Sequence, residues 1–343
     1  MSNTRRTLNF DTGNMNRKRA IAIIENTNYT NFNEMAMEVF SYQTEKVLPY
    51  QLFQKLIGFA AHGSILPEWI PFLPISLFKS HDIIAQGLVP EISYFSSSSS
   101  GKGPSEHKVA DNSLYQLSYR KCFELFYGNP EDWCILCLLP GYMEREGSSL
   151  IAMAQDLVTQ SKDPDSGFFL DQHETLYQLL LKKIESKKKT LLLGVSFGLL
   201  DFAEKFTLPS SDLVVMETGG MKGRKKEMVR SELHAILTEA LGVEKIHSEY
   251  GMTELLSQAY SKGDGRFECP PWMRVFVRDQ GDPFSKNLVA KRGRLCVIDL
   301  ANINSCSFIE TEDLGIVYPD GSFEVLGRLD FSDMRGCNVM VSR

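Results

Sequence analysis

Three short runs, WCILCLL (133–139), TLLLGV (190–195) and DLVVME (212–217), are apolar almost throughout and are separated by stretches of helical periodicity. Short continuous apolar runs of this kind read as strands covered on both faces, the pattern of a parallel sheet between helices. Helical patterns fall at about 148–160, 173–187 and 199–206. The clearest covers 225–241, where Val229, Leu233, Ile236, Leu237, Ala240 and Leu241 recur at helical spacing. From about Pro270 the style changes to short alternating strands, RVFVRD, RLCVIDL, LGIVYP and SFEVLG. Strand–helix alternation followed by an all-strand tail predicts an α/β domain with a smaller β-rich subdomain.

Upstream, residues 1–20 read as a peripheral arm. Residues 33–61 read as helix interrupted at Pro49, where a proline breaks or kinks the pattern. A proline-punctuated connector follows, with Pro67, Pro71 and Pro74. The segment 107–126 reads as helix. The expected division is therefore 1–65 (arm and helical segment), 66–265 (α/β core) and 266–343 (β-rich subdomain and tail). The 37 Lys and Arg against 43 Asp and Glu leave a net charge of −6, the wrong sign for a general nucleic-acid binder. The longest nearly apolar stretch, Leu191 to Leu200, is about half of what crosses a bilayer. The apolar run Ala20 to Ile24 is too short for a signal-peptide core. With seven cysteines, an odd number, the expectation is a cytoplasmic protein with free thiols.

Several motifs could carry chemistry. Ser96 to Ser100 are five consecutive serines, followed by Gly101 and Lys102, between a short strand pattern (Ile92 to Phe95) and a helix. Small residues bring backbone N–H groups close to a phosphate, hydroxyls add donors, and Lys102 adds positive charge. It is not a Walker loop, because Gly103 follows Lys102 and position 96 is Ser. A flexible serine linker would look the same. The segment Ser248-Glu249-Tyr250-Gly251-Met252-Thr253-Glu254 sets an aromatic ring, a tight-turn glycine, a hydroxyl and a carboxylate in a row. That order suits stacking on a base and holding Mg²⁺ near phosphates, or equally a helix start with Thr253 as cap and Glu254 in the first turn. Gly194-Val195-Ser196-Phe197-Gly198 has the G-x-S-x-G pattern between strand and helix, with Asp212 and then His234 or His247 downstream. A serine esterase or thioesterase using Ser196 is thus a rival reading. Cys134 and Cys137 lie three apart on a strand, so their thiols point to opposite faces and read as core. The six histidines show no metal-ligand spacing. The basic run Lys222, Arg224, Lys225, Lys226 reads as a solvated face, or as the edge of an anion site beside Gly219 and Gly220. Near the end, Asp313 could accept from a ribose diol and Arg328 could pair with an anion.

Taken in order, these pieces resemble the adenylate-forming superfamily. Ser97, Ser98, Ser99, Ser100, Gly101 and Lys102 occupy the place of its phosphate loop, and Gly219-Gly220 that of its adenine-side glycines. Tyr250-Gly251-Met252-Thr253-Glu254 matches its Y-G-x-T-E motif, Asp313 its ribose-binding Asp, and Gly327-Arg328 its G-R-x-D motif. More narrowly, PFLPISLFKS, METGGMKGR, SEYGMTELLSQAY, PPWMRVFVRD and FEVLGRLDFSDMRGCN are similar to the acyl-protein synthetases, the ATP-dependent component of the luciferase-linked fatty-acid reductase complex. The phenylacetate–CoA ligases are more distantly similar. The resemblance covers about 65–343. It departs from the family in an all-serine loop, where glycines would give more backbone freedom. The sequence also ends soon after the G-R-x-D motif.

The resemblance implies an α/β fold, the large N-terminal domain of the adenylate-forming enzymes with a small β-rich subdomain and without the C-terminal lid. It implies ATP-dependent activation of a carboxylic acid, fatty in the narrower resemblance, to an acyl-adenylate and then a thioester. Lys102 and Glu254 would serve catalysis, with Glu254 and Thr253 at Mg²⁺, Tyr250 and Gly220 at adenine, and Asp313 and Arg328 at the ribose. Cys337 beside Arg335 is the matching acyl acceptor, with CoA or a carrier-protein thiol as the alternative, and an acyl-CoA reductase or acyl carrier protein as partner. Phe197, Gly198 and the region of Met216 are candidates for the acyl pocket. A degenerate member that binds nucleotide without turnover is a further alternative.

Overall fold

The computed structural model describes residues 15–59, 66–96, 103–139, 147–219, 228–282, 285 and 287–329. Three helices come first: α1 (Arg17–Asn26), α2 (Phe32–Lys46) and α3 (Leu48–Leu56). The interruption expected at Pro49 is the joint between α2 and α3. The proline sits in the first turn of α3, where its missing N–H would have had no helical partner. A two-residue strand β1 (Leu73–Pro74) follows, then an antiparallel hairpin of β2 (Ile92–Phe95) and β3 (Glu106–Val109). Helix α4 (Asn112–Tyr127) begins five residues later than the periodicity suggested, because His107 belongs to β3 and the Asp111 carboxylate caps the helix by accepting from Ser113 N–H at 3.0 Å.

Alternation then proceeds through β4 (Cys134–Leu138), α5 (Ser149–Gln160), β5 (Gly167–Phe168), α6 (His173–Glu185), β6 (Thr190–Val195), α7 (Ser196–Ala203), β7 (Val214–Thr218), α8 (Arg230–Leu241), β8 (Ile246–Tyr250) and β9 (Ala259–Ser261). These strands form one sheet in the order β5-β4-β6-β7-β8-β9, parallel except for β9. Every residue of β4 and β6 is buried, as their unbroken apolar runs require. Cys134 and Cys137 are free thiols buried in β4. Two helices differ from expectation, α7 shifted toward the amino end and α8 shortened at its start. Helix α7 starts at Ser196 rather than Leu199, and α8 starts at Arg230. In α8 Leu233, Leu237 and Leu241 are buried, whereas Val229 just before it and Ile236 are 67% and 39% exposed, so part of the apolar stripe faces outward.

The tail forms β10 (Met273–Arg278), β11 (Arg292–Asp299), β12 (Phe308–Val317) and β13 (Phe323–Arg328), an antiparallel series. A fifth strand joins from far upstream, β1, which pairs parallel with β12 through Leu73 and Ile309. Beside it the α2 side chain Gln43 donates to the carbonyls of Asn302 and Ile303 and accepts from Ser307 N–H. In the six-stranded sheet the strand order turns back at β4, with β5 on one side and β6 on the other. Open α/β sheets bind ligands in the crevice beyond the carboxyl ends of their strands, at such a switch point. Among the described residues no helix is long and apolar enough to cross a membrane.

Candidate functional site

A cleft of about 1890 Å³ lies at the carboxyl ends of β6, β7 and β8. Ser196, Thr218 and Tyr250 line it from those strand ends, and Asp313 and Arg328 face them from β12 and β13. Ser96, the first residue of the serine tract, and Gly103, just after Lys102, open on the same cleft as Thr253 and Glu254. Ser97, Ser98, Ser99, Ser100, Gly101, Lys102, Gly220, the basic run from Lys222 and Cys337 lie outside the described residues. The rest of the expected set, Gly219, Tyr250, Gly251, Met252, Thr253, Glu254, Asp313 and Arg328, all line this one cleft. Of the acyl-pocket candidates, Phe197 is on its wall, whereas Gly198 and Met216 are buried in the core behind it.

Gly219 follows β7 with φ +72°, a conformation a side chain would resist. Across the cleft the Tyr250 hydroxyl donates to Asp313 Oδ2 at 2.8 Å, and Arg328 Nε donates to Asp313 Oδ1 at 3.1 Å. Burial, followed by the Asp313 charge, holds the Tyr250 hydroxyl well above its ordinary pKa, so it stays a donor. Asp313 raises the Arg328 guanidinium in turn. The chain Tyr250–Asp313–Arg328 therefore locks the six-stranded sheet to the five-stranded one beside the cleft.

Residues 251–254 are a turn rather than the start of a helix, which corrects the capping alternative. The turn is held from behind. His107 Nδ1 donates to the Thr253 carbonyl at 2.8 Å, and Asn302 Nδ2 donates to the Glu254 carbonyl at 2.8 Å. His107 Nε2 meets Asn302 Oδ1 at 3.1 Å, and burial pushes the imidazole down to about 4. Asp299 accepts from the backbone of Leu256 and Ser257 at 2.7 and 2.9 Å. With both carbonyls tied back, the Glu254 side chain is turned to the cleft. Burial raises its carboxyl above the usual range, against a hydrogen bond from Ser105 and the more distant charges of Arg328 and Lys79. It has no ion-pair partner within 4 Å among the described residues, so it is a carboxylate suited to receive a cation.

The hydrolase arrangement is not assembled. A triad needs an imidazole accepting the serine proton. Here Ser196 Oγ donates to the Gly219 carbonyl at 2.6 Å and lies 3.0 Å from Glu217 Oε2, with His234 Nε2 on the far side of that carboxylate, 3.6 Å from Oε1. The acid stands between serine and histidine, the reverse of the required order. His247 is bonded to the Tyr127 hydroxyl instead, and burial pushes it down to about 4. Burial would raise Glu217, but His234 and Arg230 outweigh it and hold the carboxyl below the ordinary range.

Four cleft residues escaped the motif reading: Ser105, Glu217, Glu249 and Gln258. Glu217 and Glu249 sit inside the quoted stretches METGG and SEYG, and the signal was a carboxylate one residue before the end of each of two largely buried parallel strands.

No family model and no curated protein matches the sequence. Solved structures do. An open conformation of 2-hydroxyisobutyryl-CoA ligase, in complex with 2-HIB-AMP and CoA, is similar over 92% of this chain and 70% of that one, at 15% identity and a TM-score of 0.62. The fold is that of the adenylate-forming ligases' large domain. ATP-bound MatB from Rhodopseudomonas palustris is similar over 69% of this chain and 47% of that one, at 16% identity and a TM-score of 0.51. A long-chain-fatty-acid-CoA ligase, FadD1 from Archaeoglobus fulgidus, is similar over 70% and 52%, at 14% identity and a TM-score of 0.51. The chain spans about half the length of the last two.

Proposed function

We propose that this cleft activates a carboxylic acid with ATP and passes the acyl group to a thiol. The supporting observation is convergence: Ser96 of the serine tract and Gly103 beyond it, the Glu254 carboxyl, which pairs with no cation among the described residues, and the Tyr250–Asp313–Arg328 chain open on one cleft. The MatB structure that shares the fold holds ATP, and the 2-hydroxyisobutyryl-CoA ligase structure holds 2-HIB-AMP and CoA.

In the first step a carboxylate oxygen of the acid bonds to the α-phosphorus, and pyrophosphate leaves with the electron pair of the broken P–O bond. Little covalent help is needed from the protein, so positioning and charge neutralisation carry the step. In our reading Ser97, Ser98, Ser99, Ser100, Gly101 and Lys102 hold the phosphates. Gly219, Gly220, Tyr250, Gly251 and Met252 bound the adenine, and Asp313 with Arg328 takes the ribose. The buried, cation-free carboxyl of Glu254, with Thr253, fits one Mg²⁺, whose role when bound is to neutralise phosphate charge. In the second step a thiolate attacks the acyl carbon and AMP leaves. The thiol is Cys337, a carrier protein's or CoA's, and a downstream acyl-CoA reductase would consume a fatty acyl product.

Acid-dependent ATP–pyrophosphate exchange across a panel of carboxylic acids tests the proposal. At least one acid should give exchange, and Glu254→Ala should remove it. Silence across the whole panel overturns the proposal.

A further inference from the structure

Along β8 successive side chains face opposite ways. Tyr250 faces the five-stranded sheet and reaches Asp313, so Glu249 faces the other side. There its strand partner is Thr218 of β7, whose hydroxyl donates to Glu249 Oε2. Glu249 is only 8% exposed, and what exposure it has is to the cleft. Its setting differs from that of Glu217 one residue earlier on the neighbouring strand. Glu217 has Arg230 Nε at 3.3 Å and His234 Nε2 at 3.6 Å. Glu249 has one hydroxyl, and no cationic side chain among the described residues pairs with it.

A second, separate group points the same way. Gln258, 4% exposed and on the wall of the cleft, has a buried Oε1 with no hydrogen-bond partner. The two are neighbours across Gly251: a Cβ placed there would come within 2.5 Å of Glu249 Oε1 and 3.6 Å of Gln258 Cγ. Because Gly251 carries no side chain, the Glu249 carboxylate fills the space beside it, next to Gln258, and among the described residues the Thr218 hydroxyl is the only side-chain donor to either acceptor. Buried acceptors without partners are costly, and native proteins rarely leave them so. A bare hydrocarbon tail laid against these acceptors would add to that cost, whereas an O–H or N–H group would remove it.

Resting on the activation reading above, we infer that the acid this cleft takes is not a plain alkanoic acid but a hydroxy or amino acid, whose O–H or N–H group is held by Glu249 and Gln258. An ammonium group would also supply the cation that Glu249 lacks. Apolar neighbours such as Met153 and Phe197 would enclose the carbon chain. A site built to bond a substrate's O–H or N–H rejects the analogue without it far more strongly than a site that merely measures size.

The test pairs acids of equal chain length, unsubstituted, hydroxylated and aminated, and reads each twice. Calorimetry without ATP gives binding, and pyrophosphate exchange gives turnover. The substituted acids should bind at least about tenfold more tightly than their plain counterparts. Glu249→Leu should reverse that order, and Glu249→Gln should keep the hydroxy acids while losing the amino acids. Melting temperatures of both variants establish that they fold. Tighter binding of plain acids, or an order unchanged in Glu249→Leu, overturns the inference. A binding preference without any exchange overturns the activation reading alone. Exchange that favours plain acids overturns the substrate class alone.

Discussion

The two ends of the six-stranded sheet treat buried charge in opposite ways. Near the amino end of β4, Lys183 Nζ lies 2.6 Å from Asp163 Oδ1 and 2.8 Å from Asp165 Oδ2, and the Lys183 and Asp163 side chains are each 8% exposed. At the carboxyl ends Glu217 is paired with Arg230, but Glu249 and Glu254, as deeply buried, have hydroxyl partners and no cationic partner among the described residues. A paired buried charge belongs to the fold. An unpaired one, in a cleft, costs stability and marks where something else binds.

The contrast can be broken most forcefully at Lys183. Lys183→Met should cost about 3 kcal/mol in urea unfolding, because it takes the nearest cation from the buried Asp163 and leaves it only Lys188 Nζ at 3.9 Å. The double variant with Asp163→Asn should recover most of that loss, and exchange per folded molecule should not change. A cost below about 1 kcal/mol would mean the pair holds nothing together. At the other end the signs reverse. Glu254→Gln should lower exchange about a hundredfold, close to 3 kcal/mol, by removing the charge that holds the metal. Its melting temperature should stay level or rise, since a buried amide is easier to accommodate than a lone carboxylate. A large drop in melting temperature would erase the distinction between the two ends.

Glu249 sharpens the comparison through pH. Burial raises its carboxyl from 4.5 to about 7, with Thr218 opposing and the Glu217 charge adding. The native state therefore holds this proton more tightly than the unfolded chain does. The resulting stability is fully present below pH 4.5 and is lost as pH rises through about 7, a change of about 3 kcal/mol. Glu249→Gln should flatten that slope in urea titrations between those limits, and a slope unchanged by the substitution would contradict the assignment. The smallest effect is expected at the hinge between the sheets. Tyr250→Phe removes one hydrogen bond to Asp313, worth about 1 kcal/mol, so calorimetry should find ATP bound about fivefold more weakly.

Much of this architecture was legible in the residues. Unbroken apolar runs placed β4, β6 and β7, and alternation placed the tail strands, because burial on two faces or one writes directly into composition. The site was legible where a motif is contiguous, as in Tyr250 to Glu254. What escaped depends on partners distant in the chain. His107 looked like part of a helix because its strand exists only by pairing with β2. Glu254 looked like a helix start because nothing local reveals that His107 and Asn302 tie its turn back. Glu249 was quoted within a motif, but whether a carboxylate has a cation opposite it is settled by strands many residues away.

The contact between α2 and the β11–β12 connection has a consequence during synthesis. Gln43 and Ser307, hydrogen-bonded in the finished protein, are separated by 264 positions. At about 5–20 residues per second a ribosome takes tens of seconds to deliver the second after the first. For that interval the Gln43 side chain and β1 have no final partner. The five-stranded sheet, and with it one whole wall of the cleft, closes only after β12 and β13 have been made.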